Sequence, residues 1–98
     1  MKVTTSKLLE KLRHEWPGCP YQVDISRSKE DSDVIHLKNK HERPLVLDID
    51  EEGCLTTVSL DEWNDVGGAV TLFFWVINTP DALDAVVSTT LGFLKGLK

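Results

Sequence analysis

Apolar residues recur three or four positions apart near the start of the chain. Leu8, Leu9, Leu12 and Trp16 are spaced so that they fall on one face of a helix. Hydroxyl side chains precede them and a Pro-Gly pair follows, which are typical start and stop signals. The pattern therefore predicts an amphipathic helix over residues 5–16.

Apolar and polar residues alternate in the middle of the chain, which indicates strands with one buried and one wet face. The predicted strands begin at Tyr21 and cover residues 21–26, 34–38, 45–50 and 54–60. Polar loops at 27–32 and 39–43 and a Glu-Glu-Gly turn at 51–53 separate them. Residues 61–68 are predicted to form a loop or one helical turn.

The run AVTLFFWVI at 69–77 is apolar on both faces and too short for a buried helix, so it predicts a strand at the centre of the sheet. Thr79 and Pro80 then give a helix start signal, with Asp81 in the first turn. A predicted second helix runs to about residue 96 and carries an apolar stripe of Leu83, Val86, Val87, Thr90, Leu91 and Leu94.

These elements predict one α+β domain over residues 1–98, in the order α-β-β-β-β-β-α. Short connections favour a five-stranded, mainly antiparallel sheet with the N-terminal and C-terminal helices packed on one face. A length of 98 residues with 41% hydrophobic residues is enough for one core without a disulfide or metal.

Charge is distributed unevenly along the chain, whose net charge is −5. Residues 1–45 carry nine Lys/Arg against seven Asp/Glu, whereas residues 46–98 carry two against nine. This acidity argues against nucleic-acid binding, which needs a basic surface. No apolar run is long enough for a membrane helix, and no signal segment is evident, so we expect a cytoplasmic protein with Cys19 and Cys54 reduced.

The most distinctive local pattern is an apolar strand that runs into Asp48-Ile49-Asp50. It resembles the nucleophile motif of haloacid-dehalogenase-type phosphatases, a resemblance that implies an attacking Asp48 and an acid Asp50. The Gly-Thr expected after that motif is replaced by Glu51-Glu52. The interpretation that we favour is a solvated hairpin turn.

Two metal sites are alternatives in the same region. Asp48, Asp50, Glu52 and Gly53 match the first positions of an EF-hand loop, but Ser59 occupies the place of its bidentate glutamate. A second site would bring His36 and His41 to Asp48 across neighbouring strands. Neither set has a complete ligand pattern, and the sequence predicts no metal, no cofactor and no catalytic residue.

Aromatic and acidic residues suggest an interface instead. Alternation sends Phe74 to one face of the fifth strand and Phe73 with Trp75 to the other, and two helices on one side leave one of these faces uncovered. A partner protein, residues 61–68 or the N-terminal segment would cover it. The interface candidates are Trp63, Phe73, Trp75, Ile77, Asp48, Asp50, Glu51, Glu52, Asp61 and Glu62.

These features favour a small acidic protein-binding module, such as an inhibitor, immunity protein, adaptor or chaperone, that docks to a protein with a basic patch and also forms homodimers. The chain is similar in size class, charge and element order to the acidic chaperones of bacterial type III secretion. The alternatives are a nucleic-acid mimic, with Asp48, Asp50, Glu51, Glu52, Asp61, Glu62 and Asp65 imitating phosphates, and a small metal-dependent enzyme using Asp48 and Asp50.

Overall fold

The computed structural model describes residues 3–24, 32–38, 44–63, 68–79 and 81–95. Two helices flank five strands in the chain order α1 (Val3–Glu15), β1 (Tyr21–Val23), β2 (Ser32–Lys38), β3 (Pro44–Glu52), β4 (Leu55–Trp63), β5 (Ala69–Val76) and α2 (Asp81–Leu94). This order confirms the predicted fold class.

Some sequence predictions fall outside the described residues. They are the last two residues of the first predicted strand, most of the loop at 27–32, the turn at 39–43, residues 64–67 of the predicted loop at 61–68, Pro80 and the residues after 95. The candidates His41 and Asp65 also lie there.

The five strands form one antiparallel sheet in the order β1-β2-β3-β4-β5. Each strand pairs with the next along the chain because the connections are short. The prediction that residues 69–77 form the centre of the sheet is therefore wrong, since β5 is the last strand at one edge. Its apolar residues on both faces reflect helix packing on one face and exposure on the other.

The sequence predicts a loop or one helical turn over residues 61–68, and this prediction is wrong for those residues that the structure describes as strand. Asp61, Glu62 and Trp63 continue β4 and pair with the beginning of β5. A shift in register between Leu60 and Asp61 marks a β-bulge in this pair. The bulge lets the two strands stay paired beyond the point where their regular register ends.

A two-residue turn, Gly53-Cys54, joins β3 to β4, because Glu52 and Leu55 are directly opposite each other. Gly53 has φ of 60°, a left-handed conformation that favours glycine over residues with a side chain. The sequence predicts a hairpin turn at 51–53, whereas Glu51 and Glu52 belong to β3 and the turn consists of residues 53 and 54.

The core lies between the helices and one face of the sheet, which we call the inner face. Cross-strand register aligns Ile35, Leu47 and Leu60 in one row of this face. The helices cover it with Leu8, Leu9 and Leu12 of α1 and with Leu83, Val86, Val87, Leu91 and Leu94 of α2. Burying each such side chain contributes about 1.5–3 kcal/mol, which holds both helices on this face.

A polar contact also lies within this apolar layer. The Thr5 hydroxyl of α1 donates a hydrogen bond of 2.6 Å to Oδ2 of Asp33 in β2. Both side chains are buried, with 0% and 3% of their surface exposed. Because a buried carboxyl group needs hydrogen-bond donors, this contact fixes α1 against the beginning of β2.

Candidate docking surface

The sheet face opposite the helices, here called the outer face, carries the alternate residues of each strand. Two rows of directly opposed residues cross it: Val34, Asp48, Ser59 and Phe74 form the first, and Ser32, Asp50, Thr57 and Val76 form the second. Val34 is buried even here. The accessible apolar part of the outer face is therefore its β5 side.

Three apolar side chains lie together at that side. Phe74 is 62% exposed and Val76 is 44% exposed, two residues apart on the same face of β5. Leu55, 53% exposed, precedes Thr57 by two residues and so shares the outer face beside Val76. Scattered exposed apolar residues are ordinary, but adjacent ones that include an aromatic ring mark interaction sites. We call these three residues the apolar corner.

Carboxylates lie beside the apolar corner on the same face. Asp48 and Asp50 both belong to the outer face, as the alternation in their strand predicts, and Asp50 is exposed in the row that ends at Val76. Asp61 lies further along β4, and its Oδ1 is buried and accepts no hydrogen bond from the part of the chain that the structure describes. The outer face thus combines an apolar corner with an acidic centre.

The aromatic interface candidates of β5 lie on the opposite side. Trp75 and Ile77 pack, partly buried, against the core beneath the helices. Phe73 stacks on Trp75 with ring centroids 5.6 Å apart, and it meets the edge of Phe93 of α2 at 5.8 Å. Phe73 nevertheless remains 39% exposed because β5 is an edge strand.

The remaining interface candidates divide between the two faces. Trp63 is half-buried at the end of β4, and alternation places it on the outer face with Asp61. Glu62 is opposite Leu45 and therefore belongs to the inner side of the sheet, as does Glu51. The side chain of Glu52 lies outside the described residues.

The list of interface candidates thus contains the other face of β5 and omits the apolar corner, although the alternation of residues leaves the face with Phe74 and Val76 open as an alternative. The signal that could have found it is in β4, where Val58 and Leu60 are apolar and Ser59 is polar. Because Val58 is opposite Trp75 and Ser59 is opposite Phe74, the polarity of β4 decides which face of β5 is uncovered.

His36 has a different partner from the one the sequence suggested. Its Nε2 lies 2.8 Å from Oδ2 of Asp24, which follows β1 on the same outer face. The pair is partly exposed, and His41 lies outside the described residues. Within the described ranges, no cluster of three or more His, Cys, Asp and Glu side chains has a metal-binding arrangement.

The two cysteines are free thiols in different environments. Cys19 is buried against the core, and this burial raises the pKa of its thiol above the ordinary value of 9.0. Cys54 is exposed in the turn between β3 and β4. Buried protonated thiols are poor nucleophiles, so Cys19 acts as a small apolar core residue.

A groove of about 790 Å³ lies between the exposed sides of the two helices. Lys11 crosses it to form a 2.9 Å ion pair with Asp84, and the hydrogen bond to that carboxylate raises the pKa of Lys11. The groove is lined by both basic and acidic side chains, including Lys7, Glu10, His14 and Lys95. Such mixed charge does not select one class of ligand, so the outer face is the better candidate.

Comparison with protein-family models, curated proteins and solved structures finds no match. None of the described helices is long and apolar enough to cross a membrane. The functional argument therefore depends on the surface of the molecule.

Proposed function

We propose that this chain is a protein-binding module without catalytic activity that docks another protein on its outer sheet face at the apolar corner. The observation that carries the proposal is the 62% exposure of Phe74 beside two further exposed apolar side chains, Leu55 and Val76. Interface hot spots are aromatic residues that a partner desolvates at the centre of a contact.

The neighbouring charges define the chemistry of the partner. Asp48 and Asp50 lie on the same face as the apolar corner, with Ser59 and Thr57 of β4 between them and Phe74 and Val76, and residues 46–98 carry nine acids against two bases. A surface with an apolar pocket flanked by Lys or Arg complements this arrangement and would be steered to it by the acidic field. The module therefore acts as an inhibitor, immunity protein, adaptor or chaperone for a partner with a basic patch, in a cytoplasm that keeps its thiols reduced.

The same surface favours a protein partner over nucleic-acid mimicry. A phosphate mimic needs carboxylates along a continuous path, whereas the outer face also exposes a phenyl ring with aliphatic neighbours. A phenyl ring gains most from an apolar pocket on a protein.

Site-specific photocrosslinking in the native host tests the proposal. A photoreactive amino acid replaces Phe74 in one variant and Ala85, which is exposed on α2, in a control variant. We expect a crosslinked heterologous protein at position 74 and not at position 85, with a lysine- or arginine-rich surface beside the attachment point.

Charge and salt provide the second readout. The variant Asp48→Asn with Asp50→Asn removes two outer-face carboxylates and should reduce the yield of the position 74 crosslink several-fold, as should salt well above physiological strength. Docking to a basic partner would be refuted if the crosslink yield at position 74 equals that at position 85. It would also be refuted if neither the double Asp→Asn variant nor high salt changes the yield at position 74.

A further inference from the structure

The two edges of the sheet differ in how well they are protected against pairing with another strand. β1 is three residues long and follows Pro20, both of which limit edge pairing. β5 is eight residues long, contains neither charge nor proline, and pairs with β4 alone among the described strands. An edge of this kind is a template for strand addition.

The register identifies which backbone groups of β5 face the open edge. The Ile77 N–H donates a 2.8 Å hydrogen bond to the Thr56 carbonyl, which marks these opposed residues as a hydrogen-bonded pair. Such pairs alternate along an antiparallel ladder, so Phe73 and Trp75 also bond to β4. The amide and carbonyl groups of Phe74 and Val76 consequently point away from β4.

We propose that the open edge of β5 binds a second copy of this chain, strand to strand and antiparallel, about a two-fold axis at Trp75. Regular pairing of β5 with β4 extends from Phe73 to Ile77, on one side of the bulge, and Trp75 is its midpoint. In this register Phe74 is opposite Val76 of the second copy, and the reciprocal contact follows by symmetry. The two sheets then form one ten-stranded sheet.

Self-pairing gives the side chains of β5 apolar neighbours from the second copy on both faces of the sheet. Phe74 meets Val76 of the second copy on the outer face, while Phe73 meets its Ile77 and Trp75 meets its Trp75 on the inner face. Residues 68–79 contain no charged side chain, so two chains of net charge −5 pair here without opposing carboxylates. A foreign strand would have to supply this apolar pattern, whereas a second copy already carries it.

The exposed area indicates a weak dimer. The exposed parts of Phe73, Phe74 and Val76 amount to roughly 300 Å² per copy, given 150–250 Å² for a whole aromatic side chain. With the strand backbone included, the total is roughly 800–1,000 Å², at the lower limit of specific interfaces. We therefore expect a dissociation constant on the order of 10–100 µM.

Sedimentation equilibrium of the purified chain from about 5 to 500 µM tests the dimer. We expect a reversible monomer–dimer equilibrium that becomes stronger with salt, because the uncharged edge is not weakened while repulsion between the acidic chains is screened. Val76→Lys should weaken the dimer at least about tenfold, whereas Ala85→Lys, with the same charge change on α2, should not. A monomer throughout this range refutes the proposal.

Disulfide crosslinking tests the register in a Cys54→Ser background. The proposed pairing places position 74 of one copy directly opposite position 76 of the other, at about 5.5 Å between Cα atoms, which suits a disulfide. Mixing Phe74→Cys with Val76→Cys should give a crosslinked heterodimer in preference to either homodimer. Rapid crosslinking of Phe74→Cys alone would refute the axis at Trp75, and no crosslink from any mixture would refute edge pairing.

This inference shares Phe74 and Val76 with the proposed docking surface and so rests partly on that function, but the two can fail separately. If the purified chain is a monomer but position 74 still crosslinks to a foreign protein in the host, the dimer is refuted and the docking proposal stands. If the chain is a dimer and position 74 crosslinks only to a second copy of the chain, the docking of a foreign partner is refuted and the dimer stands.

Discussion

Thr5→Val tests the buried hydrogen bond between α1 and the sheet. Valine has nearly the same shape and helix propensity as threonine, so the substitution removes the hydroxyl without changing the packing or the helix. The structure predicts that Asp33 then loses a donor at 2.6 Å while it remains buried.

The size of the effect follows from burial. A hydrogen bond contributes about 0.5–1.5 kcal/mol, and a buried acceptor that loses its donor costs about 1–3 kcal/mol because water cannot replace that donor. Asp33 has another interaction besides the one with Thr5, so it is not left without support. We expect a loss of about 2 kcal/mol from the free energy of unfolding.

Urea denaturation followed by circular dichroism measures this loss. With an m value of about 2 kcal/mol per molar urea, the midpoint should fall by about 1 M at an unchanged slope. Thr4→Val is the matched control, because its side chain is only half-buried in the same helical turn, and it should shift the midpoint by less than about 0.3 M. If both variants unfold at the wild-type midpoint, the hydrogen bond does not stabilise the fold as we infer.

Three further results are expected. Leu60→Ala, at a fully buried position, should cost about 2–5 kcal/mol in urea denaturation, whereas exposed Leu55→Ala should cost little. Gly53→Ala should cost about 1 kcal/mol through backbone strain alone, because no described atom beyond the two neighbouring residues lies within 4 Å of the added methyl group. A thiol reagent should label Cys54 in the native chain and Cys19 only after unfolding. Burial raises the pKa of the Cys19 thiol in the folded chain, so the free energy of unfolding should fall as the pH rises above about 9, where the unfolded chain loses this proton first. Cys19→Ala should not show this fall. Equal loss in both proteins would contradict this.

The order and type of the elements could be predicted from the sequence because each has its own periodicity and boundary signals. The position of β5 could not, because an apolar run such as AVTLFFWVI fits a central strand or an edge strand with one covered face. Strand order decides between them, and it is a property of pairing along the whole sheet. The continuation of β4 through Trp63 could not be predicted either, because the charged Glu62 occupies the inner position opposite Leu45, where the alternation of β4 would otherwise place an apolar residue.

The candidate surface was predictable in part. Alternation alone places Asp48 and Asp50 on one face, whereas choosing between Phe74 and Trp75 as the uncovered side chain requires the register with β4. The partner of His36 was also beyond the sequence, because Asp24 follows a strand of only three residues and reaches the imidazole diagonally across the sheet.

The pairing of every strand with its neighbour along the chain has a consequence for folding kinetics. Adjacent hairpins close short loops and form early, so the sheet can grow without long-range encounters. The packing of α1 against α2 is different, since Lys11 and Asp84 are 73 residues apart in sequence. Closing such a loop costs about 4 kcal/mol of chain entropy in the unfolded state and much less once the sheet exists. We therefore expect helix docking to be the late step, with a transition state in which the sheet is already formed.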